Sequence, residues 1–317
     1  MTLDKILDEI KIAEKIVILT HEGPDGDAVG SALAMKHAID YLQKKVDVII
    51  PEYSRCFEFL PGIQEVKKSS AIASYDLAIA VDCADNKILK GYKDYFEKAK
   101  TTISIDHHGS NKMYADINFV NPVSPACAQV LLGIFDYLKI PISKEIGTCL
   151  ATGIITDTGG FNYNVTAETF EFTADLLRKG VNISEIYRKA LETKTRANFE
   201  LSRIASDRLE FLEDGKVTFT YITLEDEEKV GASTGDHEGI VQVGRCIEGV
   251  EVSIFLHELK EKKGFKISLR SSEYVNVSDV CLMFGGGGHI RAAGAFSTGT
   301  PEQIKNKVLT EVKKQLK

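Results

Sequence analysis

Four short apolar runs rich in β-branched residues, 17–19, 46–50, 77–81 and 103–105, punctuate the first third of the chain and alternate with helical patterns. No other feature constrains the fold as much, because strands that alternate with helices build parallel sheets covered on both faces. After the first run comes a polar, glycine-bearing turn over 21–27. In the segment 28–42 that follows, Val29, Leu33, Ile39 and Leu42 approximate one helical face. Further helices are predicted over 124–137, 144–155 and 166–179, the last stopping at Gly180. From 184 to about 212 the pattern stays helical and heavily charged without Gly or Pro, which suits a connecting helix. Beyond it the texture becomes alternating: Val217, Phe219 and Tyr221; Val250, Val252, Ile254 and Leu256; Phe265, Ile267 and Leu269. These are half-buried strands of a second sheet, accompanied by helical patterns at 238–246, 277–284 and 301–316. The expected fold class is α/β. A doubly wound, mainly parallel sheet forms the N-terminal domain (1–190), a connecting helix covers 191–212, and a smaller α+β domain covers 213–317.

Composition limits the function. The 317 residues include 39 Lys and Arg against 46 Asp and Glu, a net charge of −7. That balance argues against a protein coating long nucleic acid by counterion release, and leaves room for a local basic groove. The six cysteines form no C-x-x-C pair and read as buried thiols in a reducing compartment. The first residues lack the apolar stretch of a signal peptide, and no run of 18 apolar residues occurs anywhere. A cytoplasmic protein with no membrane partner is expected.

The segment His21-Glu-Gly-Pro-Asp25-Gly-Asp27 places one imidazole and two carboxylates on a single turn. Carboxylates two apart on a bent, glycine-loosened backbone can converge on one metal ion or on two adjacent ones. The bland alternative is that Asp25 and Asp27 only form Asx turns and cap the next helix. Two further clusters weigh against it. Asp82 follows the run 77–81, and Asp106-His107-His108 follows the run ending at 105, so both should emerge at the sheet edge that carries His21. Open α/β sheets place their ligand crevice at that edge. Charge so concentrated repels itself unless a cation compensates it. Asp157, just before Thr-Gly-Gly-Phe, adds a further carboxylate. A mixed imidazole and carboxylate set suits Mn²⁺ and, less selectively, Mg²⁺, Co²⁺ or Zn²⁺. The carboxylates outnumber what one ion needs. Two ions sharing a carboxylate can activate water and clamp the oxygens of an in-line displacement at phosphorus, which points to phosphate-ester hydrolysis. Near the C-terminus, Gly285, Gly286, Gly287 and Gly288 precede His289 and Arg291. Consecutive glycines allow backbone amides to wrap an anion, or they simply form a turn. Arg270, on the outward phase of the 265–269 alternation, is a candidate phosphate clamp or a solvent-facing arginine.

The ordered set His21, Asp25, Asp27, Asp82, Asp106-His107-His108, Asp157 and Gly285 to His289 resembles the DHH phosphoesterases carrying a DHH-associated C-terminal domain. Within that family it is similar to the compact bacterial nanoRNases of the NrnA type, which also dephosphorylate 3′-phosphoadenosine 5′-phosphate (pAp). The resemblance spans nearly the whole chain. It implies two Mn²⁺ ions, one held by His21 and Asp25, the other by Asp27, His107 and Asp157, with Asp82 bridging both. It further implies that His108 sits near the scissile phosphate and that Asp106 orients an imidazole. Arg270, Gly285 to Gly288 and His289 would then grip the substrate's terminal phosphate, in a cleft between the domains. The implied partners are short RNA or linear dinucleotides and pAp. A homodimer stays open. The competing readings are a RecJ-type single-strand exonuclease, a family II-like pyrophosphatase, and a non-catalytic nucleotide sensor. The acidic balance and the small C-terminal domain of ~110 residues favour short substrates over long single strands.

Overall fold

The computed structural model describes residues 2–233, 235–260 and 263–317. The chain divides into two compact units, Met1–Thr193 and Lys194–Lys317. In the first, strands β1 (Ile16–Leu19), β2 (Val46–Ile49), β3 (Leu77–Val81), β4 (Thr101–Asp106) and β5 (Ile117–Val120) form one sheet in the order β2-β1-β3-β4-β5. Every pairing is parallel. The helices of this unit are α1 (Thr2–Ile12), α2 (Gly26–Tyr41), α3 (Lys93–Glu97), α4 (Cys127–Tyr137), α5 (Lys144–Asp157), α6 (Ala167–Arg178) and α7 (Ile183–Tyr187). Alternate residues of each central strand enter different cores. Ile16, Ile18, Leu77, Ile79 and Val81 pack with residues of α1, α2, α4 and α5, while Val17, Leu19, Ala78 and Ala80 pack with Leu89, Tyr92 and Phe96. A strand buried on both faces needs apolar residues at every position, which is why these runs read as continuous.

The strand order reverses between β1 and β3. In doubly wound sheets of this order the crevice outside the strands' carboxyl ends at that reversal is the ligand site. His21 and Asp82 lie just beyond the ends of β1 and β3.

The second unit contains α8 (Arg196–Asp207), β6 (Glu210–Leu212), β7 (Val217–Ile222), α9 (Leu224–Val230) and α10 (Gln242–Arg245). These are followed by β8 (Val252–Leu259), β9 (Gly264–Ser271), α11 (Val277–Leu282), β10 (Gly287–His289), β11 (Ala292–Ser297) and α12 (Pro301–Lys313). Its sheet runs β10-β11-β9-β8-β7-β6, mixed in direction because β7 and β8 pair in parallel. One face packs Val252, Ile254, Leu256, Ile267 and Leu269 against α11 and α12. The other packs Phe255 and Ile222 with Leu201 and Ala205 of α8.

The helical run expected from 184 to 212 is interrupted. α7 passes into a π-helical turn at Arg188–Glu192, α8 starts afresh at Arg196 with Thr195 as its cap, and β6 replaces the final turn. The Thr195 hydroxyl accepts the Asn198 amide, so a chain without Gly or Pro is still broken here by side-chain capping. Among the described residues no helix is long and apolar enough to cross a membrane.

Candidate metal centre

The site begins with two helices that approach closely. α2 and α5 cross where Gly30 faces the Cys149 carbonyl and Gly153 faces Asp27. A Cβ on Gly153 would lie 2.5 Å from Asp27 Oδ1, and one on Gly30 would lie 2.5 Å from the Cys149 oxygen. Glycine inside a helix costs ~1 kcal/mol relative to alanine. Here it lets the first turn of α2, carrying Asp27, lie against α5, which ends at Asp157.

Asp25 is the N-cap of α2 and accepts the amides of Asp27 and Ala28 through Oδ1, both at 3.0 Å. The capping role weighed from the sequence is therefore real, and the same residue still belongs to a cluster of ligating atoms. Asp27 is buried. Its Oδ2 accepts the Cys127 amide at 2.6 Å and its Oδ1 the Ala128 amide at 2.9 Å and the Ser31 hydroxyl at 3.2 Å. Those amides open α4, so a helix N-terminus holds the carboxylate in place.

Asp82 follows β3 with φ of 52°, a left-handed conformation uncommon outside glycine, and donates its amide to the Ile105 carbonyl at 3.0 Å. Asp106 is fully buried at the end of β4. Its Oδ1 accepts the amides of His107 and His108 and, at 2.8 Å, His108 Nδ1; its Oδ2 accepts Asn111 Nδ2 at 2.7 Å. Asp106 is thus spent on hydrogen bonds and sets the His108 ring. His107 donates Nδ1 to the Ser124 carbonyl at 3.1 Å. That bond leaves Nε2 at 3.3 Å from Asp157, 3.5 Å from Asp82 and 3.8 Å from Asp27. His21 likewise commits Nδ1 to the Glu22 carbonyl, with Nε2 3.9 Å from Asp82. A ligating histidine held by a carbonyl on its other nitrogen is the usual arrangement around a metal.

Ligating atoms of His21, Asp25 and Asp82 lie within 4.8 Å of one another, and so do those of Asp27, Asp82 and His107. Asp82 belongs to both groups. Its Oδ1 is buried and accepts no hydrogen bond. A carboxylate oxygen removed from water without a partner costs several kcal/mol, roughly, unless a cation serves it. The donor set therefore fits a pair of divalent ions sharing Asp82.

The charges agree. Burial, reinforced by the neighbouring Asp82, pushes Asp27 up to about 7. Burial and Asp27 also raise Asp157 well above the carboxylate range. Despite burial, His107, His108 and His21 hold Asp82 far below it. For His107, burial is outweighed by Asp82, Asp157 and Asp27, so the ring is pushed up to about 11. His108 rises to about 9, because Asp106 and Asp82 outweigh its burial. In the metal-free protein the imidazolium of His107 takes the place of a cation. An ion held through Nε2 would have to displace that proton, together with any proton on the raised carboxyls of Asp27 and Asp157. Metal affinity is expected to rise with pH, by up to ~10-fold per unit for each proton expelled. Calorimetry in two buffers of different ionisation enthalpy checks this: protons are released on binding, and more of them below about pH 7 than at pH 8. Heats that do not depend on the buffer would refute the coupling.

The other candidates lie in the second unit. Arg270 on β9 pairs across the sheet with Ala292 on β11, which pairs with His289 on β10. Directly paired residues share a face, so Arg270 and His289 form one row with the small Ala292 between them. The amides of Gly285 and Gly286 are occupied by the Leu282 and Cys281 carbonyls at the end of α11. A Cβ on Gly286 or Gly288 would strike the β11 backbone at 2.1 and 2.6 Å. The tract therefore builds a close β-ribbon. Arg291, offered as an extra charge, instead donates to the carbonyls of Val275 and Glu273. Sequence reasoning missed Asn111, Ser124 and Gly153; only Asn111 carried a signal, as an amide five residues after Asp106.

Residues 15–154 match the model of the DHH family N-terminal domain, and residues 214–317 match the DHHA1 domain. The chain is 33% identical over 307 residues to the bifunctional oligoribonuclease and PAP phosphatase NrnA of Thermus thermophilus, covering 95% of this chain and 90% of that one. A protein of the same name from Mycoplasma genitalium is 27% identical over 317 residues, covering 99% and 98% of the two chains. Among solved structures, an exopolyphosphatase-related protein from Bacteroides fragilis matches with a TM-score of 0.88 at 29% identity, over 99% of this chain and 96% of that one.

Proposed function

Since the chain belongs to the DHH family and carries a DHHA1 domain, we propose that it is a Mn²⁺-dependent phosphoesterase acting in the cytoplasm. Its substrates are short oligoribonucleotides, cut to mononucleotides, and pAp, from which it removes the 3′-phosphate. Asp82 carries the reading, as one buried carboxylate shared by two donor groups, whose Oδ1 accepts no hydrogen bond and faces the His107 and His108 rings at 3.5 and 3.6 Å. His21, Asp25 and Asp82 would hold one ion, and Asp27, Asp82, His107 and Asp157 the other. When bound, the two ions supply positive charge at the reacting phosphoryl group and lower the pKa of water.

The chain's own groups do the rest. The Ser124 and Glu22 carbonyls fix the tautomers of His107 and His21, so that Nε2 of each is the ligating atom. The α4 amides keep Asp27 from turning away. Asp106 holds His108 by Nδ1, and Nε2 of that half-buried ring serves the scissile phosphate as a donor to its oxygens. In the second unit, Arg270 and His289 bind the terminal phosphate of the substrate, a guanidinium being suited to bidentate contact. The ribbon of Gly285 to Gly288 presents His289 for that purpose.

A panel of pAp, a linear dinucleotide, a five-nucleotide RNA, long single-stranded DNA and pyrophosphate, with Mn²⁺ and with chelator, tests the proposal. Metal-dependent turnover of the dinucleotide and pAp, well above that of the long strand and pyrophosphate, is expected. Equal activity on long DNA, or action on pyrophosphate alone, would overturn it. In the same assay Arg270→Ala and His289→Ala should raise KM ~10-fold with Mn²⁺ affinity unchanged. Unaltered KM values would remove the second unit from substrate capture.

A further inference from the structure

The second unit holds a cluster that the proposed reaction does not use. Ligating atoms of Glu227, His237 and His257 lie within 4.8 Å of one another. The three residues come from separate elements, α9, the segment after it and β8. We infer that they form a third divalent-cation site, one that takes a borderline-soft ion of the Zn²⁺ class.

Each ligand-bearing element is independently anchored. α9 is tied down by Asp226, which completes a capping box with Thr223 and receives the Arg208 guanidinium through both oxygens. The segment bearing His237 is held on either side of it. Asp236 accepts the Thr195 hydroxyl at 2.6 Å and the Ser233 amide at 2.8 Å, and Asn198 donates to the carbonyls of Asp236 and Glu238 at 2.7 and 3.0 Å. His257 lies in an interior strand, paired with both β7 and β9.

Between these anchors the histidines are poorly served as structural residues. His257 is 6% exposed, and its Nε2, 2.8 Å from Glu227, is the nitrogen placed to share an ion with that carboxylate; its Nδ1, on the other side of the ring, is buried with no hydrogen-bond partner and would stay so. The His237 ring makes no hydrogen bond among the described residues and stacks on His257 with centroids 4.0 Å apart. Tetrahedral zinc with ligand bonds near 2.1 Å sets ligand atoms ~3.3 Å apart. The three ligand atoms stand within 4.8 Å of one another, so the site would have to contract for an ion to bind, and His237, whose ring makes no hydrogen bond among the described residues, is the ligand least held in place. Two imidazoles and one carboxylate also match the zinc class better than Mg²⁺ or Ca²⁺, which prefer all-oxygen shells. Lys266, the cross-strand partner of His257, adds a positive charge that disfavours any weakly held ion.

The test uses the full chain, stripped of metal, dialysed against micromolar Zn²⁺ and analysed for bound metal. His237→Ala, which removes no hydrogen bond, should hold one zinc fewer than the wild type, and Glu227→Gln should lower zinc affinity at least ~10-fold. Asp82→Asn should lose other ions and keep this one. Equal zinc content in wild type and His237→Ala, or loss of every ion in Asp82→Asn, would overturn the assignment.

Discussion

Asp82→Asn is expected to reduce turnover of a linear dinucleotide by at least ~1,000-fold while the protein stays folded. The substitution is chosen for its backbone. Asp82 sits at φ of 52°, where asparagine is tolerated and alanine adds roughly 1 kcal/mol of strain. Asn therefore removes the charge and keeps the local conformation. Loss of the carboxylate should empty both donor groups together, because both contain it, so metal content and activity fall in parallel. No apolar core member is touched, since Asp82 lies past the end of β3. The same variant relieves His107 and His108 of their shared counter-charge. A folded-state pKa raised above its unfolded value stabilises fully below about pH 6.5 and ceases to do so as pH rises through the folded value. In metal-free protein the stability lost in Asp82→Asn should accordingly be largest between about pH 4 and 6.5, where the carboxylate and both rings are charged in either state, and shrink through the range from about 9 to 11. Chemical unfolding at pH 6 and pH 10 reads this, and Mn²⁺-stimulated activity near that of the wild type would refute the shared-ligand role.

What could be read from the sequence divides along physical lines. β1, β3 and β4 declared themselves because burial on both faces demands unbroken apolar runs. β5 did not, being a short edge strand with every residue only half-buried. β10 and β11 escaped for the opposite reason. Their glycines and alanines permit close strand approach but carry no β-branched signal, so the segment read as an anion-wrapping loop or a turn. The cluster of candidate ligands was legible, since His, Asp and Asp-His-His at successive strand ends name their chemistry. Their supports were not. The carbonyl of Ser124 that orients His107 exists at every residue, and nothing in a one-dimensional string says which one is used. The cluster of Glu227, His237 and His257 was equally silent, because gaps of ten and twenty residues match no ligand spacing and only the sheet brings them together.

The second large effect concerns a residue with no side chain. Gly153→Ala should weaken Mn²⁺ binding by ~10- to 100-fold and destabilise the protein by ~1–3 kcal/mol, although alanine is the better helix former. The added methyl would lie 2.5 Å from Asp27 Oδ1 and 2.6 Å from the Ala128 Cβ, far inside contact distance. α5 cannot back away on its own, because Gly30 of α2 already rests against the Cys149 carbonyl one turn earlier. The strain must therefore fall on Asp27. Turning its carboxylate sacrifices the bonds from the Ala128 amide and the Ser31 hydroxyl and shifts a ligand by about 1 Å, enough to cost such a factor at a preorganised site. Gly133→Ala in α4 is the control. Nothing lies within 4 Å of a Cβ there, so propensity alone should act and raise stability by ~0.5–1 kcal/mol with metal affinity unchanged. Equal Mn²⁺ affinity in both variants would mean that the close crossing of α2 and α5 packs the core without setting the metal ligands.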